Sequence, residues 1–337
     1  MIHKFQRKLG RSGIHTSALG MGCWAIGGPM HMQGTPLGWG TVNDDESKRA
    51  IQRAFEMGVN FFDTADIYGK GHSEKLIGDV LSKNRDQVII ATKFGMAFND
   101  QEITGFDGRP EYVATALEAS LRRLNTDYID LYQFHLADYP LDDAKNTRDV
   151  LEELVVKGKI KGYSWSTDKI ENAKFFAAGP NCIAIQHEFN VFLGNEKILG
   201  LCETKDLASI NRGPLAMGIL TGKYGLSSTF EEDDCRKTVD LHNDPYYMFF
   251  KEGKPVPELI RKLNAIKEIL RSDGRTLAQG ALGWLWAKSD LTIPIPGFKT
   301  ERQVEENVNA MDFGPLTQSQ MEEIENISFN TPIMVPE

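Results

Sequence analysis

Asp63, Tyr68, Lys93 and His135 each stand at or just beyond the end of a short apolar run. Together these residue types could move a proton onto or off an oxygen. A phenol donates poorly at neutral pH unless a nearby cation stabilises its phenolate, and Lys93 is of the right type to be that cation. A carboxylate such as Asp63 would hold the ammonium charged and aimed, while His135 could hydrogen-bond a substrate oxygen. The combination suits carbonyl reduction. Each residue alone also has an ordinary reading: Asp63 as a turn cap, Tyr68 as a rim aromatic, Lys93 as a surface lysine and His135 as a core histidine.

For four such residues to meet, the chain must bring its run ends to one place. Strand-like runs occur at Ala18 to Gly22, Val59 to Asp63, Val88 to Lys93, Tyr128 to His135, Ile160 to Ser164, Cys182 to Gln186, Leu207 to Asn211 and Leu291 to Ile295. Helical periodicity fills the gaps. Glu46 to Met57 carries an apolar face behind an Asp44 or Asp45 cap and ends at Gly58; Tyr112 to Leu124 follows Pro110; Val150 to Val156 stops at Lys157-Gly158. Strand then helix, repeated, predicts a parallel α/β sheet, and in a barrel all carboxyl ends share one rim. An open dinucleotide-binding sheet is the competitor, and Gly20-Met21-Gly22-Cys23-Trp24-Ala25 fits its glycine pattern. The loop-like Ile26-Gly27-Gly28-Pro29 follows where a helix is required, which excludes it.

Phe5 to Ser17, with the turn Leu9-Gly10-Arg11-Ser12-Gly13, predicts a hairpin plugging the amino-terminal mouth. Tyr224 to Pro257 predicts an excursion over one rim, Arg275 to Lys288 an extra amphipathic helix, and Thr317 to Ile327 a short tail helix across the rim. No domain boundary stands out, so residues 1–337 are expected to form a single barrel domain.

The charge balance narrows the partners. Lys and Arg number 38 and Asp and Glu 47, a net charge of −9, which repels phosphate backbones and argues against nucleic acid. Cys23, Cys182, Cys202 and Cys235 are widely spaced without Cys-x-x-Cys, in keeping with reduced thiols and a cytoplasmic location. The polar stretch Met1 to Gly10 predicts neither a signal peptide nor a membrane span. The histidines form no metal-binding spacing, and no metal is expected.

Phe62-Asp63-Thr64-Ala65-Asp66-Ile67-Tyr68-Gly69 with Ser73-Glu74, Ile90-Ala91-Thr92-Lys93, and Tyr128 to His135 resemble the signature segments of the aldo-keto reductase superfamily. Further likeness runs through Gly213-Pro214-Leu215-Ala216, Leu220 to Tyr224, Ile295-Pro296-Gly297, Gln303 and Glu306-Asn307. It spans roughly Lys4 to Ala310. The resemblance implies a (β/α)₈ TIM barrel with an N-terminal β-hairpin plug, extra helices and a long loop after strand seven. It also implies an NADPH-dependent oxidoreductase that reduces an aldehyde or ketone, or oxidises the alcohol. In that reading Tyr68 is the general acid, Lys93 its cation, Asp63 the holder of Lys93, and His135 the group that positions the carbonyl.

The same resemblance assigns cofactor contacts. Gly22, Cys23, Trp24 and Asp63 would line the nicotinamide end, where Ser164 and Gln186 would meet the carboxamide; Trp165 stands where relatives often carry Asn. Arg212 replaces a stacking aromatic, and a guanidinium can stack too; a salt bridge to a rim carboxylate is the alternative. Pro214, Leu215, Gly218 and Lys223 would follow the pyrophosphate, and Gly297, Lys299, Gln303, Glu306 and Asn307 the adenosine. Lys299, with Arg302, favours NADP over NAD. Cys23 also reads as a packing thiol. Trp24, Phe94, Phe106 and Trp165 suggest a partly aromatic pocket or ordinary core. The superfamily also implies a cofactor-binding channel-regulatory subunit with slow turnover. A third reading, from Lys93 itself, is a Schiff-base lyase on the same barrel, which a protonating Asp63 opposes. Oligomeric state is left open.

Overall fold

Runs such as Phe61-Phe62 and Ile89-Ile90-Ala91 are apolar on both faces because their strands are covered on both faces. In the computed structural model, which describes residues 2–100, 102–238 and 249–329, eight such strands lie side by side. They are Met21–Gly22, Phe61–Asp63, Ile89–Phe94, Leu131–Phe134, Tyr163–Ser166, Cys182–Glu188, Ala208–Arg212 and Thr292–Pro294, in sequence order and all parallel. A parallel Gly22 to Gly297 bridge joins the last strand to the first, supported by Gly20 N and Gly22 N donating to Pro294 O and Pro296 O at 3.0 Å each. The seam is tight. A Cβ at Gly22 would stand 2.5 Å from Ile295 O, so only glycine closes it.

Alternation within each strand divides the interior from the helix layer. In Leu131–Phe134, Leu131 faces into the barrel while Tyr132 and Phe134 pack outward against the helices. The barrel's interior is apolar around Phe61, Ala91, Leu131, Ile210 and Ile293. Its floor is closed by the expected hairpin, Gln6–Lys8 paired with His15–Ser17, which inserts Leu9. Arg11 fastens the hairpin by donating to Cys182 O at 2.8 Å and Gly179 O at 2.6 Å.

Several local expectations are corrected. The cap of helix Asp44–Glu56 is Asn43, whose side chain accepts from Glu46 N at 3.0 Å, not Asp44 or Asp45, which lie in the first turn. The helix expected from Val150 begins at Leu141. The fifth strand runs Tyr163–Ser166 rather than ending at Ser164, because a register shift between Tyr163 and Ser164 carries the ladder onward. Helix Leu277–Lys288 is buried from Ala278 through Trp286 instead of presenting a wet face, since helices Pro257–Leu270, Glu301–Phe313 and Gln318–Phe329 all pack on it. The tail helix, Gln318–Phe329, lies against Pro257–Leu270 and Leu277–Lys288, with Gln320 reaching Ser272.

The rim carries a feature no pattern announced. His31–Met32 and Thr35–Pro36, after the first barrel strand, join Met96–Phe98 and Ile103–Phe106, after the third, in one four-stranded sheet. Of the expected Tyr224 to Pro257 excursion, 239–248 lie outside the described residues. Its described part touches the first loop: Trp39 bridges Asp234, and Cys235 N donates to Gly38 O at 2.8 Å.

Candidate active site

Asp63 ends the second strand and Lys93 faces inward near the end of the third, both fully buried. The Lys93 ammonium donates to Asp63 Oδ1 at 2.5 Å, to the Thr64 carbonyl at 2.8 Å and to the Tyr68 hydroxyl oxygen at 3.1 Å. Tyr68 itself sits in the turn beyond the second strand. Its position is set by Gly69, which adopts φ +59° and lies against the Gly27 backbone. His135 follows the fourth strand, anchored by its N–H on Phe94 O at 2.8 Å, and meets the Tyr68 ring edge-on at 5.9 Å between centroids. Trp24 stacks on Tyr68 at 6.1 Å.

Burial and charge set the protonation states. Burial pushes the Lys93 ammonium down, but Asp63 and Tyr68 outweigh it and hold the group above its ordinary range. Burial raises the Tyr68 phenol, and Lys93 pulls it back only in part, so the net direction is upward. The cation acts in the expected sense and loses to desolvation; the phenol stays protonated at neutral pH. His135 is pushed well down by burial, then by Lys93 and Arg212, and is a neutral imidazole. Its Nδ1 is buried without a protein partner. Cys23 is buried with its thiol pushed far up by burial, which makes it a packing thiol.

Beneath the ion pair lies a polar layer. Asp63 Oδ2 accepts from Gln133 Nε2 at 2.7 Å and Gln186 Nε2 at 2.8 Å. Ser164 is occupied below the rim, donating to Gln133 Oε1 at 2.9 Å, whereas Ser166, at the strand end, donates to Gln186 Oε1 at 3.2 Å. Gln133, Ser166 and Asp168 were not singled out from sequence. Gln133 had a signal: two residues before His135, it is an amide on the inner face of an otherwise apolar run.

A family model described as the aldo/keto reductase family matches residues 18–328. The chain belongs to the aldo/keto reductase family. Aldo-keto reductase YhdN of Bacillus subtilis is 32% identical over 300 residues, covering 87% of this chain and 85% of that protein. A probable voltage-gated potassium channel subunit beta of Oryza sativa subsp. japonica is 29% identical, with 97% of each chain covered. Among solved structures, the glycerol dehydrogenase AKR11B4 of Gluconobacter oxydans superposes with a TM-score of 0.79 at 26% identity, over 99% of this chain and 98% of that one.

Within this reductase fold the remaining cofactor candidates fall on the rim. Gly22 ends the first strand and Cys23 and Trp24 follow it; Gly213, Pro214 and Leu215 follow the seventh, and Ala216, Met217 and Gly218 turn back with φ of +48°, +51° and +97°. Lys223 is exposed, its ammonium 5.4 Å from the Tyr224 ring. Arg212 forms a salt bridge with Asp168 and lies 3.8 Å from Glu188 Oε2, the alternative left open by sequence. After the eighth strand, half-buried Lys299 donates to Trp39 O, and burial holds its ammonium below the ordinary range. Gln303 closes a capping box with Thr300 and also accepts from Lys299 N at 2.7 Å; buried Asn307 donates to Gly297 O at 3.4 Å. Glu306 is half-buried on the same helix. Phe94 and Trp165 do not line the mouth: Phe94 stacks on Tyr132 in the helix layer, and buried Trp165 donates to Leu136 O. Phe106 is exposed on the rim sheet. Among the described residues no cluster of His, Cys, Asp and Glu could hold a metal, and no helix is long and apolar enough to cross a membrane.

Proposed function

We propose that the chain is an NADPH-dependent oxidoreductase that reduces an aldehyde or ketone to the alcohol, reversibly, with Tyr68 as proton donor. The observation that carries this reading is the Lys93 ammonium held between Asp63 and the Tyr68 hydroxyl, at 2.5 and 3.1 Å, beside a neutral His135.

The donor set fits a nicotinamide dinucleotide phosphate. Hydroxyl and amide groups of Ser166, at the end of the fifth strand, and Gln186, opposite it on the sixth, stand side by side; the left-handed turn through Gly218 follows the seventh, and a cation, Lys299, follows the eighth. Ser166 and Gln186 would hold the carboxamide, with Ser166 better placed than Ser164; Gly22, Cys23, Trp24, Asp63 and Arg212 would surround the ring. Pro214, Leu215, Gly218 and Lys223 would follow the pyrophosphate, and Gly297, Lys299, Gln303, Glu306 and Asn307 the adenosine with its 2′-phosphate. When bound, the dihydronicotinamide supplies a hydride to the carbonyl carbon.

The protein's part is the oxygen. His135, neutral, donates a hydrogen bond to the carbonyl oxygen and fixes its orientation. Tyr68 transfers its hydroxyl proton to that oxygen as negative charge gathers there, and Lys93 stabilises the phenolate left behind. Asp63 keeps the ammonium charged and pointed at the phenol. In the oxidative direction the phenolate takes the proton back. The test is NADPH consumption with a panel of small aldehydes and ketones: Tyr68→Phe is expected to lower kcat about 100- to 10,000-fold, and equal rates would remove Tyr68 from the mechanism.

The potassium-channel subunit relative favours a second reading, a cofactor-binding regulatory subunit. Tight NADPH binding with no measurable steady-state turnover across the panel would favour it over the first.

A further inference from the structure

Gln133 is fully buried on the inner face of the fourth barrel strand, in register with Lys93 on one side and Ser164 on the other. Its carbonyl Oε1 accepts from Ser164 Oγ at 2.9 Å and from Gln186 Nε2 at 3.2 Å, while its Nε2 donates to Asp63 Oδ2 at 2.7 Å. The flipped amide would set its oxygen against the Asp63 carboxylate and its N–H donors against the Gln186 amide donor, so the observed orientation is the one that satisfies the site. Asp63 is thereby held from both sides, Lys93 on Oδ1 and two neutral amides on Oδ2. The two amides differ in position. Gln186 is linked to Ser166 at the strand end and is offered to the cofactor, whereas Gln133 contacts only Asp63, Ser164 and Gln186 among the hydrogen bonds of the site.

We propose that Gln133 is a positioning residue: its amide pins the Asp63 carboxylate so that Oδ1 faces Lys93 and the ammonium faces the Tyr68 hydroxyl. The inference rests on the reading of Tyr68 as proton donor. A buried amide in a strand where leucine would pack is costly unless its hydrogen bonds are made, and here the bond it donates goes to the one carboxylate that aims Lys93. Without that N–H the carboxylate turns, the ammonium follows it, and the phenol loses part of its cation. The charged and titratable groups facing Tyr68 are Lys93 and Asp63 from the barrel, His135 from the fourth strand end and Arg212 from the seventh. Of these only the first two are moved directly by Gln133.

The experiment compares wild type with Gln133→Met, which keeps shape and loses the donor, and with the milder Ser164→Ala, which removes one donor to the Gln133 carbonyl. Steady-state carbonyl reduction is measured alongside titration of the Tyr68 Cζ resonance in protein carrying carbon-13 tyrosine, assigned by its loss in Tyr68→Phe. Gln133→Met is expected to lower kcat about tenfold with the KM for NADPH within about twofold. It should raise the phenol midpoint by about one unit. Ser164→Ala should move the midpoint the same way by less. An unmoved midpoint in both variants overturns the proposal, as does a loss of kcat and cofactor affinity together with the midpoint unchanged. If wild type reduces no carbonyl, the reading of the function fails, and the tyrosine titration still decides whether Gln133 sets the phenol's environment.

Discussion

Gly69 and Gly27 meet backbone to backbone: a Cβ on Gly69 would stand 1.9 Å from Gly27 O, and Gly69 adopts φ +59°. Both facts forbid a side chain there, and the contact fixes the turn that carries Tyr68. Gly69→Ala is expected to cost at least about 2 kcal/mol of stability and to displace the phenol. An urea midpoint lowered together with a kcat down about 100-fold would show it; a variant with wild-type kcat would separate this contact from the placement of Tyr68.

The elevated phenol and ammonium predict the pH dependence. Reduction requires the protonated phenol, which burial favours, so the reductive kcat should be flat through neutral pH and fall only as alkalinity takes the proton away. Oxidation requires the phenolate and should rise over that same limb. Lys93→Met removes the main group that pulls the phenol down, leaving burial and the Asp63 charge to outweigh Arg212, and should shift the oxidative limb further upward. Profiles recorded in both directions check this; parallel profiles would contradict Tyr68 acting as acid and base.

Lys299 is a half-buried cation whose hydrogen bond goes to a backbone carbonyl, that of Trp39. Lys299→Ala is expected to raise the KM for NADPH roughly tenfold while leaving that for NADH little changed. Steady-state titration with each dinucleotide decides it, and equal changes in both would place Lys299 away from the 2′-phosphate.

His187 is buried, held to Ser209 Oγ at 2.7 Å, and burial lowers its imidazole to about 4 from 6.5. Because the folded value lies below the unfolded one, the stability it contributes is complete above pH 6.5 and is lost as pH falls toward about 4. The loss amounts to roughly 3 kcal/mol. His187→Gln should flatten the acid side of the stability curve in that window, as read by urea unfolding at a series of pH values.

The strand order was legible because strands covered on both faces must be apolar, and their ends then mark one rim. Asp63, Lys93 and the segment ending in His135 stood out for that reason. What sequence could not carry was local geometry. The shift between Tyr163 and Ser164 moves the strand end by two residues, from Ser164 to Ser166, and nothing in Tyr-Ser-Trp-Ser announces it. Asn43 displaces two aspartates as helix cap because only its own backbone is extended, at φ −107°, ψ 113°. The buried helix Leu277–Lys288 depends on neighbours packing around it, and Gln133 was passed over because an amide has chemistry only where its partners are known.

The rim sheet has a consequence for anyone wishing to redirect this protein. Met32 is paired with Ile103, so the hairpin after the first strand and the hairpin after the third are halves of one object. Grafting a single loop from a relative would leave an orphaned edge beside Tyr68; the transplantable module is the couple, and libraries aimed at the mouth should diversify both halves in concert.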